Sequence, residues 1–154
     1  MKWIELVLTV CGAYGTSELA DQIHNVAKEF GVERTMVLGI IVKESSCNTF
    51  AVGTSDDRGL MQVIPKWHKD RMEDLDVTDL YNPLQNIRVG THFLAALGIN
   101  EDPLDALVLY NGGYRRPTSS YYYAYDVLAK KGRYDASLEN IRKNIIKKIK
   151  NNVK

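Results

Sequence analysis

Between Met36 and Val42 the chain reads Met-Val-Leu-Gly-Ile-Ile-Val, followed at once by Lys43, Glu44 and Ser45. Six of the eight residues before Glu44 are large aliphatics. A helix with one wet face carries fewer, so the spacing predicts a helix inside the core from about Arg34 to Glu44. A carboxylate at the end of such a helix loses solvation and faces the negative end of the helix dipole. Both effects raise its pKa toward the range where it can hold, and then donate, a proton near neutral pH. Taken alone, Glu44 reads first as a surface residue just past a core helix. The residues that follow it decide between the two.

A chain of 154 residues suits one compact domain with a single sizeable core. The formal net charge of +1 points to neither nucleic acid nor an acidic partner. Hydrophobic content of 45% and charged content of 25% are ordinary for a globular protein. Cys11 and Cys47 are the only cysteines. They could form one disulfide in an oxidising compartment, but their spacing does not show that they meet. Neither sits in a CxxC, and His24, His68 and His92 lack metal-ligand spacing, so no metal or cofactor is assigned. Residues 1–16 are ambiguous. Lys2 precedes an apolar run that ends in Gly12-Ala13-Tyr14-Gly15, a loose imitation of a secretory signal, yet Glu5 interrupts the run. A packed N-terminal helix and a weak signal peptide both fit, and the stretch is too short to span a bilayer.

Elsewhere the periodicity is helical. Ser17 predicts a cap, with Leu19, Ile23, Val26, Ala27 and Phe30 on one stripe and Gly31 as the stop. Ser45 to Arg58 is polar and reads as a loop with at most a short β-hairpin. Pro65 opens a short helix through Trp67 and Met72. Asn82-Pro83 and Asp102-Pro103 each place a cap before a proline at the first helical position. Gly112-Gly113 ends the second of these helices, and another is expected over Ser120 to Ala129. Residues 137–154 predict a separate basic helix, with Leu138, Ile141, Ile145, Ile149 and Val153 on one stripe. The simplest expectation is a terminal helix packing its isoleucines onto the domain. The alternative is an arm drawn to anionic envelope polymer or membrane surface.

Several blocks stand in order along this chain: Glu44-Ser45, Asn48, Ala51-Val52, Gly59-Leu60-Met61-Gln62, Asn82-Pro83, Asn86-Ile87, Gly90, Ala106-Leu107, Tyr110-Asn111-Gly112-Gly113 and Tyr123. Together they resemble the soluble lytic transglycosylase (SLT) catalytic domain, a relative of goose-type lysozyme, over roughly Ile23 to Leu128. The resemblance implies a mainly α, lysozyme-like domain over 17–136. It also implies cleavage of peptidoglycan between N-acetylmuramic acid and N-acetylglucosamine with formation of a 1,6-anhydro product. Glu44 would be the sole acid and base. An internal C6 hydroxyl serves as nucleophile, so the second carboxylate of ordinary glycosidases is not required.

By the same resemblance, Gly59 would let the backbone approach a sugar, and Met61 and Gln62 would line the cleft. Tyr110 would shape the cleft floor and Asn111 would bind substrate. Ser45 would touch substrate or the catalytic carboxylate, and Tyr123 would hold Glu44, with Tyr121, Tyr122 and Tyr125 unassigned. The partner would be the peptidoglycan glycan strand, in the cell envelope or on a phage particle. Departures cluster after Glu44: Cys47 for a bulky aromatic, Thr49 for proline, Gly53 for serine, and Asp56-Asp57 for Gly-Ala. Asp56 or Asp57 could activate water, which keeps a hydrolysing goose-type muramidase as the rival. A non-catalytic wall-binding or virion module is the third reading.

Overall fold

The aliphatic run forms a helix buried on every side. The computed structural model describes residues 1–153, with the side chains of residues 140–142 outside that description. Its helices in chain order are α1 (Trp3–Cys11), α2 (Ser17–Phe30), α3 (Arg34–Ser45), α4 (Lys69–Asp74), α5 (Pro83–Ala96), α6 (Pro103–Gly112) and α7 (Thr118–Asn152). α3 packs against α1, α2 and α7, while α5 lies on α2 and α6 on α7. Val37, Leu38, Ile40 and Ile41 of α3 are fully buried, alongside Ile23, Ile87, Leu94 and Leu107 from its surroundings. No strand ladder forms among the described residues. In place of a hairpin, two isolated bridges join Val52 to Arg58 and Arg58 to Val63.

Local chemistry sets the helix ends. Asn82 accepts from the Gln85 N–H and Asp102 from the Asp105 N–H, each with proline at the first helical position. The cap of α2 is Thr16, whose hydroxyl accepts from Leu19 N–H at 3.0 Å; Ser17 is the first helical residue instead. The helix expected to run on from Pro65 is broken at His68 into a 3₁₀ turn (Pro65–Trp67) and α4.

α1 is packed into the domain. Trp3, Leu6, Val7 and Cys11 are buried, and the Trp3 indole N–H donates to the Ala20 carbonyl at 2.8 Å. Cys11 and Cys47 are joined by a disulfide, with Cα atoms 5.4 Å apart. Ser46 and Cys47 both have left-handed backbone, with φ of 51° and 68°, immediately after α3. Two successive non-glycine residues there are unfavourable unless the surroundings hold them. The bond to α1 supplies that hold.

The largest difference from expectation lies at the C-terminus. Ser120 to Ala129 and residues 137–154 were expected as two helices, but α7 runs unbroken from Thr118 to Asn152 through Gly132. Nor do its isoleucines pack on the domain: Ile145, Ile149 and Val153 are 52%, 57% and 80% exposed. Leu138 is partly buried against the core. A 35-residue helix is about 50 Å long; Tyr123, Val127 and Tyr134 are buried in its first half, whereas residues 143–153 are exposed. Ile141, Arg142 and Lys154, also in the expected stripe and charge run, lie outside the described residues.

Candidate active site

Glu44 occupies the last turn of α3, where the helix emerges from the core. Burial pushes its carboxyl from an ordinary 4.5 up to about 7, helped by the charge of Asp57 and opposed by a hydrogen bond from Tyr123 and the charge of Lys43. The Tyr123 hydroxyl donates to Glu44 Oε2 at 3.2 Å. Tyr123 is buried on the inner face of α7, while Tyr122 and Tyr125 are well exposed, so helical phase selects one tyrosine of the cluster. Burial, then the neighbouring Glu44, raises the Tyr123 pKa well above its usual value, so it stays a donor.

The opposite wall is the turn from Arg58 to Gln62, and side chains fasten it from behind. Asn86 of α5 is wholly buried; its amide donates to the carbonyls of Arg58 and Leu80 at 2.8 Å, and its oxygen accepts from Met61 N–H at 2.8 Å. Tyr110 of α6 donates to the Met61 carbonyl at 2.7 Å. Gln62 itself has φ of 50° and donates from Nε2 to the carbonyls of Ala51 and Gly59. Gln62, Tyr110 and Asn111 line one cleft together. Asn111 is exposed there, and its Oδ1 accepts from Ser120 Oγ at 2.7 Å, which turns its amide N–H groups outward.

Three residues expected to meet substrate are placed otherwise. The Ser45 hydroxyl is engaged with the carbonyls of Leu60 at 2.7 Å and Ile41 at 3.0 Å, so it ties α3 to the opposite wall. Met61 is 0% exposed and packs under Gly90, where an added Cβ would come within 2.5 Å of its sulfur. Its contribution to the cleft is its backbone. Gly59 is buried with φ of +73°, and a Cβ would meet the Leu80 carbonyl at 2.3 Å and Asn86 Nδ2 at 2.4 Å. Packing by Asn86, rather than approach of a sugar, demands the glycine. The loop acids separate too: Asp56 is held by Arg58 at 2.9 Å on the surface, whereas the charge of Asp57 reaches Glu44. Among the described residues, no three His, Cys, Asp or Glu side chains come together as a metal site would require.

Sequence reasoning missed Asn86 as the organiser of the wall and Ser120 as the residue that turns Asn111. It also missed a cluster of Trp67, His68, Arg71 and His92 that extends the cleft. The buried, fully bonded Asn86 had a legible trace, since a lone Asn inside an apolar helical stripe must find partners.

A family model described as the transglycosylase SLT domain matches residues 21–131. The chain belongs to that family. Similar proteins include the membrane-bound lytic murein transglycosylase C of Actinobacillus pleuropneumoniae serotype 5b (strain L20). It is 39% identical over 82 residues, which cover 49% of this chain and 22% of that protein. The protein of the same name from Serratia proteamaculans (strain 568) is 34% identical over 112 residues, covering 65% of this chain and 27% of its own length. This SLT chain therefore matches about a quarter of such relatives. Among solved structures, an inactive mutant of the lytic transglycosylase Slt from Pseudomonas aeruginosa superposes with a TM-score of 0.69. Identity there is 20%, over 77% of this chain and 24% of that one. The helical architecture is accordingly the lysozyme-like fold of the SLT domain.

Proposed function

We propose that the protein is a peptidoglycan lytic transglycosylase. The observation that carries this is a single carboxyl, Glu44, at the end of α3 in the SLT domain, close enough to the cleft-lining Tyr110 for its charge to act there, with its pKa raised to about 7 and a tyrosine hydroxyl hydrogen-bonded to it. Protonated Glu44 donates to the bridging oxygen between N-acetylmuramic acid and N-acetylglucosamine, and the C1–O bond breaks. The resulting carboxylate takes the proton of the C6 hydroxyl as O6 attacks C1, closing a 1,6-anhydro ring and restoring the acid. No water is consumed. A group with its pKa near the working pH suits both halves of this cycle. Gln62, the amide of Asn111 and the ring of Tyr110 would then bind the strand, which their shared lining of one cleft supports.

Mass spectrometry of digested sacculi tests this: anhydro-muropeptides are expected, and reducing-end muropeptides alone would overturn it. That second outcome is the signature of the rival hydrolase. Asp57 is its water-activating candidate, because its charge acts on Glu44 while Asp56 is occupied by Arg58.

The disulfide fits an oxidising compartment, as the cell envelope outside the cytoplasm provides. Among the described residues no helix is long and apolar enough to cross a membrane. The distal part of α7 offers another mode of attachment. Ile145 and Ile149 are exposed on one stripe among Lys143, Lys147, Lys148 and Lys150, the pattern of a helix that lies on an anionic lipid surface.

A further inference from the structure

The cleft lined by Gln62, Tyr110 and Asn111 is a trough of about 570 Å³ that also takes in Trp67, His68, Arg71 and Tyr114. Two cations, Arg71 and Arg115, line it, and no carboxylate does. At its rim stand two large rings, Trp67 at 70% and Tyr114 at 82% exposure.

Arg71 is held in an unusual way. Its Nε donates to His68 Nδ1 at 3.3 Å, its Nη1 meets His92 Nδ1, and its guanidinium lies 5.1 Å from the centre of the Phe93 ring. His68 is itself pinned edge-on against Phe93, with centroids 4.5 Å apart. Both imidazoles are kept neutral: burial and then Arg71 push His68 down to about 4, and burial lowers His92. They accept hydrogen bonds from Arg71 and leave its charge uncancelled.

Three other arginines of this protein are neutralised, whereas Arg34 and Arg115 share with Arg71 the lack of a carboxylate partner among the described residues. Arg58 is paired with Asp56, Arg88 with Glu29 and Arg116 with Asp105, at 2.9 to 3.0 Å. Among the described residues Arg71 has no carboxylate within ion-pair distance; Asp74 acts on it only through space. A guanidinium fixed in plane by neutral acceptors, partly desolvated and facing a cleft, lacks only an anion.

We propose that this trough takes a carboxylate carried by the glycan strand, with Arg71 as its anchor, His68 and His92 positioning Arg71, and Trp67 and Tyr114 set against sugar faces. The assignment rests on the glycan-cleaving reading above. Two sources supply such a group: the lactyl carboxylate of a muramyl residue stripped of peptide, or the acidic groups of an attached peptide stem.

The test uses Glu44→Gln protein, so that binding is read without turnover, and calorimetric titration with three glycans. These are peptide-bearing chains, peptide-free chains, and peptide-free chains with their carboxyls reduced to alcohols. At least one carboxylate-bearing form should bind about tenfold more tightly than the reduced form, as expected for a charge-assisted pair. The form that does so identifies the source. Adding Arg71→Gln should erase the preference while leaving affinity for the reduced glycan within about twofold of its parent. His68→Phe, which keeps a ring against Phe93 but loses the acceptor, should weaken the preference and spare the reduced glycan. An unchanged preference in His68→Phe overturns its positioning role. No preference in the Glu44→Gln parent, or one that persists without Arg71, overturns the trough. The first of those outcomes needs no Arg71 variant, so a folding defect cannot hide it. Product analysis of the wild-type enzyme tests the underlying activity separately: anhydro products with no carboxylate preference would remove the trough alone.

Discussion

Replacing Glu44 by Gln should stabilise the protein above neutral pH while abolishing the lytic activity proposed for it. The folded-state carboxyl titrates at about 7 against an ordinary 4.5, because the end of α3 is desolvated. Below 4.5 the side chain is protonated in both folded and unfolded chains and carries no penalty. As pH rises through 7 the folded state must bear a partly buried charge that the unfolded chain holds in water. At 1.36 kcal/mol per pH unit, that rise corresponds to a loss of about 3 kcal/mol from the wild-type by pH 8.5. Glutamine keeps the shape and does not ionise, so it escapes the loss. Urea denaturation of both proteins at pH 4, 5.5, 7 and 8.5 measures the difference directly. The stability of the variant minus that of the wild-type should grow by ~3 kcal/mol across the series, most of it between pH 5 and 7. Other titrating groups are common to both proteins and cancel. Turbidity clearance should fall by at least ~10²-fold at every pH. A stability difference independent of pH, or one growing in the opposite sense, would refute the raised pKa and with it the acid role.

Tyr123→Phe removes a donor that favours the charged form of Glu44, so the alkaline limb of the pH–rate profile should move up by about one unit while turnover falls; a limb moving to lower pH would contradict the geometry. Reducing the Cys11–Cys47 bond, or replacing both residues by serine, should cost ~4 kcal/mol by chain entropy for a separation of 36 residues. Thermal melts with and without reductant check it, and an unmoved melting temperature in the wild-type would sink the claim. Ile145→Ser with Ile149→Ser should leave the melting temperature unchanged, since both side chains are exposed, and reduce co-sedimentation with anionic phospholipid vesicles. Lower melting with unchanged sedimentation would show that the stripe serves packing.

What was legible in the sequence was what local chemistry encodes. The Asn82-Pro83 and Asp102-Pro103 starts are cap and proline effects confined to a few residues, and they appear where expected. The aliphatic run Met36–Val42 of α3 needs no partner to declare its burial. Illegible features depend on what lies across space. Cys11 and Cys47 are separated by 36 residues, and only the packing of α1 against α3 brings them together. Helices expected over Ser120 to Ala129 and over 137–154 are one, because nothing between them turns the chain and α7 continues. The family pattern marks Ser45, Gly59 and Met61 as positions that matter without telling which way they point. All three support the wall of the cleft from inside. The trough around Arg71 left no trace because its parts come from the Pro65–Trp67 turn, α4, α5 and the end of α6.

Four successive carbonyls, of Arg58, Gly59, Leu60 and Met61, accept hydrogen bonds from Asn86, Gln62, Ser45 and Tyr110. Those donors come from α5, the turn itself, α3 and α6, so no single element can carry the turn away with it. An unsupported turn would have to be ordered on binding, at a cost of about 1–2 kcal/mol per residue. Here that ordering is complete before any sugar arrives. The strand meets a rigid face, and its affinity is set by fit and by the groups it desolvates. Substitutions at rim side chains such as Trp67, Asn111 and Tyr114 are then expected to alter substrate preference without disturbing the turn.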